Sequence, residues 1–265
     1  MKIKILGIGD VVGKPGREII RKRLPEYCLQ ENIAFVVANG ENLFDGAGIT
    51  PKDADILQEA GVHVITGGDH IWNRREIIPY IAQNSTILRP ANYPKNQPGS
   101  GTTVVELPSG IKIGVLHLQG RVFMNVQCAC PFATAEEELK RLQLKTNVIV
   151  VDMHCEATSE KIAMGWWLDG KVSYMFGTHT HIPTADERVL PKGTAYITDL
   201  GMTGPYESVI GRRVDRVLHR MTTGMPARFD VATKDVRLYG AIATVDSDSG
   251  RAVKIERMVL TEDDQ

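Results

Sequence analysis

Residues 172 to 181 read Val172-Ser173-Tyr174-Met175-Phe176-Gly177-Thr178-His179-Thr180-His181, an apolar run that ends in a His-x-His pair. The run has the length and composition of a buried strand, and the two histidines follow at its carboxyl end. Because residues i and i+2 of an extended segment share a face, we expect both imidazole rings to project together. Imidazole is a common metal ligand, so the pair indicates a candidate metal site; two ordinary polar loop residues are the alternative.

The sequence before this segment alternates between strand-like and helix-like patterns. Short apolar runs occupy residues 3–8, 34–38 and 62–66, and helical patterns occupy residues 15–29 and 51–60 between them. This alternation predicts a wound α/β sheet. Thr50 and Pro51 are the residue types preferred at the N-cap and in the first turn of a helix, which supports a helix start at residue 51.

The second half of the chain adds antiparallel strands. Residues 102–107 and 111–116 are β-rich runs on either side of Pro108-Ser109-Gly110, which is a turn signal. Helical patterns at 133–144 and 159–168 each precede a further apolar run, and residues 237–260 have the pattern of a β-hairpin. We therefore predict a mixed sheet in a layered α/β sandwich.

No linker, repeat or low-complexity stretch divides the 265 residues, so we predict a single domain over residues 1–265. Two long segments that are irregular or partly helical, residues 120–132 and 201–232, are candidate lids over a site.

The charge balance narrows the choice of partners. The chain has 31 basic and 32 acidic residues, a formal net charge of -1, so no stable complex with a nucleic acid is expected. No apolar run approaches the ~18 residues of a spanning helix and no signal-peptide pattern opens the chain, so we expect no membrane association and a cytoplasmic location. The four cysteines are irregularly spaced, which favours free thiols over a disulfide framework or a zinc ribbon.

Polar groups follow five of the apolar runs at the point where each run ends. These groups are Gly9-Asp10, Asn39-Gly40-Glu41-Asn42, Gly67-Gly68-Asp69-His70, Met153-His154 and the pair His179 and His181. In open α/β sheets, functional groups gather beyond the carboxyl ends of the strands. Oxygen and nitrogen donors without thiolates suit Mn, Fe or Zn, and about eight such groups fit two metal ions that share a bridging ligand.

The order of these motifs resembles the calcineurin-like metallophosphoesterase superfamily. More narrowly, four stretches are similar to its YmdB branch, whose described activity is on cyclic nucleotide phosphodiesters. These stretches are Gly9-Asp10-Val11-Val12-Gly13, Asn39-Gly40-Glu41-Asn42, Arg89-Pro90-Ala91-Asn92 and His154-Cys155-Glu156-Ala157-Thr158-Ser159-Glu160-Lys161. The resemblance covers nearly the whole chain. It implies a four-layer αββα sandwich built on two mixed β-sheets.

The resemblance also implies a ligand set for two metal ions per chain. It assigns Asp10, Asn42 and His181 to one ion, Asp69, His154 and His179 to the other, and Glu41 to both as the bridge. Iron or manganese is expected, with zinc or magnesium as alternatives. His70 falls where the family places its general acid. Arg89 and Asn92 are candidate contacts to phosphate or sugar, against the alternative that Arg-Pro-Ala-Asn is a rigid turn.

The implied reaction is attack on phosphorus by a hydroxide held between two metal ions roughly 3.5–4 Å apart, with His70 protonating the departing ribose oxygen. The expected substrate is 2′,3′-cyclic AMP, followed by 3′,5′-cyclic AMP. A phosphoprotein phosphatase or a nucleotidase of the same superfamily is one alternative, and a weakly catalytic regulatory protein that binds a nucleotide is the other. Relatives form homo-oligomers, which the resemblance extends to this chain.

The chain departs from the family pattern at two positions. Val12 stands where the broad superfamily has a metal-binding histidine, and Asp69 stands where the family has asparagine. An extra carboxylate lowers the positive charge of the site by one and should weaken its Lewis acidity. We therefore expect an altered metal preference or a reduced rate, with metal binding retained.

Overall fold

Two β-sheets stacked face to face form the centre of the molecule, and helices cover both outer faces. The computed structural model describes residues 1–262. In chain order the strands are β1 (Lys2–Ile8), β2 (Asp10–Val11), β3 (Ile33–Asn39), β4 (Val64–Thr66), β5 (Ile87–Leu88), β6 (Thr102–Glu106), β7 (Lys112–Gln119), β8 (Val148–His154), β9 (Tyr174–Thr178), β10 (Arg188–Val189), β11 (Ala195–Ile197), β12 (Met202–Pro205), β13 (Val236–Asp246) and β14 (Ala252–Thr261). The helices are α1 (Gly13–Glu31), α2 (Pro51–Glu59), α3 (Ile77–Ile81), α4 (Pro131–Leu142), α5 (Thr158–Leu168) and α6 (Val214–Thr223).

Both sheets mix parallel and antiparallel pairs, as predicted. The first has the order β2-β12-β13-β1-β3-β4-β5, with β14 beside β13, and the second has the order β10-β11-β9-β8-β7-β6. Strands β1, β3, β4 and β5 are parallel to one another, and so are β7, β8, β9 and β11. The carboxyl ends of the parallel strands of each sheet therefore meet at one edge. Strands from both ends of the described residues share the first sheet, and a single domain over residues 1–265 stays a prediction.

Three apolar layers hold the sandwich together. The inner layer, between the sheets, contains fully buried side chains such as Ile5, Phe35 and Phe176. The outer layers pack Leu24 of α1 on the first sheet and Met164 of α5 on the second. A fully buried side chain of this size contributes about 1.5–3 kcal/mol relative to its exposed state. The predicted four-layer αββα arrangement is confirmed.

Local sequence signals place the ends of several elements. Helix α2 begins at Pro51, and the Thr50 hydroxyl accepts a hydrogen bond from the Asp53 N–H at 3.3 Å, as its residue type predicts. Helix α1 begins at Gly13, two residues before the predicted start, and this glycine has a φ of 60°, which residues with a side chain rarely adopt. Within residues 1–262, no helix is long and apolar enough to cross a membrane.

Candidate metal centre

The seven predicted metal ligands lie together at the edge where the parallel strands of both sheets end. Asp10 starts β2, Glu41 and Asn42 follow β3, and Asp69 follows β4, all in the first sheet. His154 ends β8, and His179 and His181 follow β9, in the second sheet. We call Asp10, Asn42 and His181 the Asp10 group, and Asp69, His154 and His179 the Asp69 group. Each group draws on both sheets, and Glu41 lies between them.

The Asp69 group is a tight cluster of electron-rich atoms. The Nε2 atom of His154 lies 3.1 Å from Asp69 Oδ1 and 3.3 Å from Glu41 Oε1. The Nδ1 atom of His179 lies 3.1 Å from His154 Nε2 and 3.5 Å from Asp69 Oδ1. One ligand atom from each of these four residues falls within 4.8 Å of all the others. Such converging nitrogen and oxygen atoms suit a transition-metal ion.

The Asp10 group contains a buried carboxylate oxygen without a partner. Asp10 is fully buried; its Oδ2 accepts a hydrogen bond from the His179 N–H at 2.9 Å, whereas its Oδ1 has no hydrogen-bond partner. His181 Nε2 is 3.8 Å from that Oδ1. A buried oxygen left unpaired costs about 1–3 kcal/mol, and a cation would satisfy it. The residues present therefore fit a second metal ion.

Asn42 joins the two parts of the centre through its amide. Its Nδ2 lies 3.2 Å from Glu41 Oε1 and 3.2 Å from His181 Nε2, and its Oδ1 lies 3.1 Å from His70 Nδ1. The amide nitrogen thus faces the ligands, whereas a metal ion would take the oxygen. A half-turn of the amide exchanges the two atoms without moving the backbone.

Burial and mutual charge shift the pKa values of the centre. Burial raises the pKa of Asp10 to about 7. Burial alone would lower the pKa of His154, but the charge of Glu41 and the hydrogen bond to Asp69 hold it well above its ordinary value. Burial alone would raise the pKa of Asp69, but hydrogen bonds to His154 and His179 hold it well below its ordinary range. The carboxylates thus retain a proton on His154, and a metal ion would take its place.

The two histidines of the His-x-His pair adopt left-handed backbone conformations, with φ of 98° at His179 and 66° at His181. The expectation that the pair continues an extended segment is wrong, because β9 ends at Thr178. Both rings still reach the centre, where His179 contacts His154 and His181 contacts Asn42. Left-handed backbone is uncommon for residues other than glycine and is kept only where neighbours hold it. Between the pair, the Thr180 hydroxyl donates to Asp199 at 2.7 Å, and Asp199 is itself paired with Lys161 at 2.6 Å in the buried interior.

Glycine lets the Asp69 loop approach the centre. A Cβ atom on Gly68 would lie 2.1 Å from Glu41 Oε2 and 2.5 Å from His154 Nε2, closer than atoms can approach. Any larger residue would displace both side chains, so this close approach requires glycine.

His70 lies beside the ligands and faces a cavity. Its backbone N–H donates to Glu41 Oε2 at 3.0 Å, and its ring Nε2 is 3.7 Å from Asp69 Oδ2. The side chain is 36% exposed, so it can reach a bound molecule. The cavity has a volume of about 410 Å³, within the range of small-molecule sites. Its apolar wall comes from the predicted lid at 201–232 and consists of Val209, Ile210, Val217, Met221 and Phe229.

Arg89 and Asn92 do not line this cavity. The Arg89 guanidinium donates to the backbone carbonyls of Pro90 and Pro98 at 2.8 and 3.2 Å. The Asn92 side chain donates to the carbonyl of Gln119 at 2.7 Å and accepts from the N–H of the same residue at 2.9 Å. Both side chains hold loops together, which agrees with the rigid-turn alternative; a contact with substrate stays a prediction.

Two groups that contact the predicted histidine ligands were not themselves predicted to have a function. Glu156 Oε2 lies 3.3 Å from His179 Nε2, and the Ile210 carbonyl lies 3.0 Å from His181 Nδ1. Glu156 belongs to one of the motifs that carried the family resemblance, so its sequence position was a usable signal. A backbone carbonyl carries none.

Two stacked mixed sheets with a cluster of candidate metal ligands at their shared edge match the architecture of the metallophosphoesterases, which hydrolyse phosphoric ester bonds, and this chain is one of them. Comparison of the sequence with protein families identifies one family within this class. A model of the family described as YmdB-like protein matches residues 6–258, and the chain belongs to that family.

Three relatives illustrate the match. The chain is 42% identical over 261 residues to the 2′,3′-cyclic-nucleotide 2′-phosphodiesterase of Bacillus subtilis (strain 168), with 98% of each chain covered. The crystal structure of a phosphatase from Mycoplasma pneumoniae superimposes with a TM-score of 0.92 at 35% identity, covering 100% of this chain and 95% of that chain. A hypothetical protein from Thermus thermophilus superimposes with a TM-score of 0.90 at 37% identity, covering 98% of this chain and 100% of that chain.

Proposed function

We propose that the chain is a dinuclear-metal phosphodiesterase that hydrolyses cyclic nucleotides, with 2′,3′-cyclic AMP preferred over 3′,5′-cyclic AMP. The observation that carries the proposal is the contact between two ligand groups that share Glu41 and open onto a cavity of about 410 Å³. The name of the Bacillus subtilis relative supports the choice of substrate.

Asp10, Asn42 and His181 would hold one divalent ion, Asp69, His154 and His179 the other, and Glu41 both. When bound, two such ions lower the pKa of a water molecule and stabilise the negative charge that develops on phosphoryl oxygens. Nitrogen and oxygen donors without thiolates favour iron or manganese, with zinc or magnesium as alternatives.

The side chains of the protein supply the remaining requirements. His70 reaches the cavity and would donate a proton to the departing ribose oxygen, a contribution of about 10²–10⁴-fold in rate. The apolar wall from segment 201–232 would hold the nucleobase and exclude water on that side. In a 2′,3′-cyclic nucleotide the leaving oxygen stays attached to the sugar, so the product is a ribonucleotide monophosphate.

A substrate panel tests the proposal. Protein loaded with Mn²⁺ or Fe²⁺ is assayed with 2′,3′-cyclic AMP, 3′,5′-cyclic AMP, an aryl phosphodiester and an aryl phosphomonoester. We expect the highest kcat/KM with 2′,3′-cyclic AMP. Preference for the monoester would favour a phosphatase or nucleotidase instead, and inactivity on every substrate with both metals bound would favour a regulatory nucleotide-binding protein.

The role of His70 is tested separately. We expect His70→Ala to lower kcat by about 10²-fold or more while the metal content per chain is unchanged. Full activity in this variant would remove His70 from the mechanism and leave the substrate assignment intact.

Asp69 sets the charge of the centre. Its Oδ1 contacts two histidine ligands, so replacing the family's asparagine with a carboxylate adds a negative charge where it acts most strongly. We expect Asp69→Asn to change the preferred metal or raise turnover, as measured by metal analysis and kinetics against the parent. Equal values for both would contradict this role. A homo-oligomer and a cytoplasmic location stay predictions.

A further inference from the structure

The ring of His154 presents Nε2 to the metal centre and Nδ1 to the interior of the sandwich. On the interior side, Nδ1 lies 2.9 Å from the hydroxyl of Thr178, and that hydroxyl donates to Asp152 Oδ1 at 2.7 Å. All three side chains are fully buried. A chain of hydrogen bonds therefore runs from a buried carboxylate to the back of a proposed metal ligand.

Counting the available hydrogens shows which group donates and which accepts in each of these hydrogen bonds. A hydroxyl has one hydrogen, and Thr178 gives it to Asp152, so its oxygen can only accept from the imidazole. Asn39 Nδ2 donates one hydrogen to Gly67 O at 2.5 Å, and its other hydrogen lies between Asp152 Oδ2 at 3.4 Å and Nδ1 at 3.3 Å. An ionised carboxylate is the stronger acceptor, so we assign that hydrogen to Asp152. With the Thr178 oxygen as its acceptor at 2.9 Å, Nδ1 is assigned the proton, which leaves the lone pair of the neutral ring on Nε2, where it faces Glu41 and Asp69.

Asp152 is positioned to keep this arrangement fixed. Its second oxygen accepts the Thr66 hydroxyl at 2.5 Å from the first sheet, while the residue itself lies in β8 of the second. His117 Nδ1, on the neighbouring strand β7, lies 3.3 Å from the same oxygen. The carboxylate is thus held from both sheets and cannot rotate away from Thr178 without losing these contacts.

We propose that Asp152 and Thr178 are positioning residues that hold His154 in the Nδ1–H form, so that its Nε2 is available to a metal ion. The inference rests on the proposed metal role of His154. Partners of this kind behind metal-ligating histidines change metal affinity by about 10–100-fold when they are removed.

The test replaces the Thr178 hydroxyl with a methyl group, which keeps the size and shape of the side chain. In Thr178→Val the acceptor is lost, and we expect one of the two Mn²⁺ dissociation constants, measured by competition with a chromogenic chelator, to rise about 10–100-fold while the other changes less. Thr178→Ser keeps the hydroxyl and should stay within about threefold of the parent. Thr194→Val is the matched control. Thr194 is fully buried just before β11, at the end of the strand away from the metal centre, and its hydroxyl donates only to backbone carbonyls.

A second measurement reads the ring itself. In Zn²⁺-loaded protein labelled with ¹⁵N-histidine, we expect a slowly exchanging Nδ1–H signal for His154 in the parent and in Thr178→Ser, and its loss in Thr178→Val. Parent-like Mn²⁺ affinity in folded Thr178→Val, or a proton-free Nδ1 in the parent, would overturn the inference. Failure of the parent to bind two metal ions would instead overturn the proposed function.

Discussion

Both predicted lid segments, 120–132 and 201–232, lie over a groove or cavity, but they differ in which one they cover. Segment 201–232 supplies the apolar wall of the cavity at the metal centre, including Ile210 and Phe229. Segment 120–132 lies over a separate groove, and the Glu160 carboxylate accepts the N–H groups of Arg121 and Val122 at 3.1 Å. The length of a segment in the sequence thus predicts that it covers a groove or cavity. Its side-chain and backbone-carbonyl contacts determine which one it covers.

The contacts of segment 201–232 explain the difference. The Ile210 carbonyl accepts from His181, and the Arg212 guanidinium donates to carbonyls of Asp45 and Phe229 at 2.7 and 2.9 Å. These bonds connect the segment both to a proposed ligand and to the loop that follows Asn42. We therefore expect only this segment to respond to substrate and metal.

The largest expected effect is a difference in kcat/KM between two variants, each with a phenylalanine removed from one of the segments. In Phe229→Ala, loss of base stacking worth about 2 kcal/mol should lower kcat/KM for 2′,3′-cyclic AMP about thirtyfold, mainly through KM. Phe123→Ala in the other segment removes a ring that is 84% exposed and should change kcat/KM by less than about twofold. Equal losses in the two variants, measured by steady-state kinetics, would remove the distinction between the segments.

Metal removal should separate the segments by mobility. Because His181 bonds to Ile210, stripping the metal should release residues 209–212, whose amides should exchange hydrogen about tenfold faster, or about 1.4 kcal/mol. Amides at 121–129 should change by less than about twofold. Hydrogen exchange followed by mass spectrometry checks both regions in one sample. A uniform response would show that the metal acts on the whole fold.

Glu160→Gln should loosen segment 120–132 without affecting the reaction. The amide keeps one acceptor oxygen but loses the charge, so we expect the free energy of unfolding to fall by about 1 kcal/mol. Urea denaturation measures this loss, and kcat/KM should equal that of the parent. A fall in kcat/KM at saturating metal would mean that this segment also serves the centre.

The smallest expected effect is a change with pH in the free energy of unfolding. It arises at His63, which lies outside both segments. Burial lowers the pKa of His63 below its ordinary 6.5, and its Nδ1 accepts the Val36 N–H at 3.2 Å. The unfolded chain then binds the proton more readily, so this contribution to stability is complete above pH 6.5 and declines as the pH falls toward the lower folded-state pKa.

Urea midpoints for the parent and His63→Gln test this change with pH between pH 5 and 8. The difference between the two should be constant above about pH 6.5 and change below it. A difference that stays constant over the whole range would mean that His63 does not titrate differently on folding.

Much of the fold was predictable from local patterns. Apolar runs bounded by turn residues predicted the strands, and Thr50 with Pro51 predicted the start of α2 at the observed residue. The convergence of the seven candidate ligand side chains was predictable because the carboxyl ends of parallel strands meet at one edge. That they bind metal ions stays a prediction. Their roles in the reaction stay predictions.

The rest depends on distant packing. The left-handed backbone at His179 is held by tertiary contacts, including the Asp10 carboxylate that accepts its N–H. The contact between Thr178 and Asp152 joins neighbouring strands across 26 positions of sequence. Phe229 becomes part of the cavity wall only after segment 201–232 turns back over the strand ends. No local periodicity encodes these relations.

Because the ligand groups each combine side chains from both sheets, neither sheet alone can assemble a complete coordination site. During folding, tight metal binding should therefore emerge at the moment the sheets dock, after the strands of each sheet have paired. A metal-sensitive dye present during refolding would time that docking step. Metal uptake would thus report when the two sheets dock, and the measurement needs no substrate.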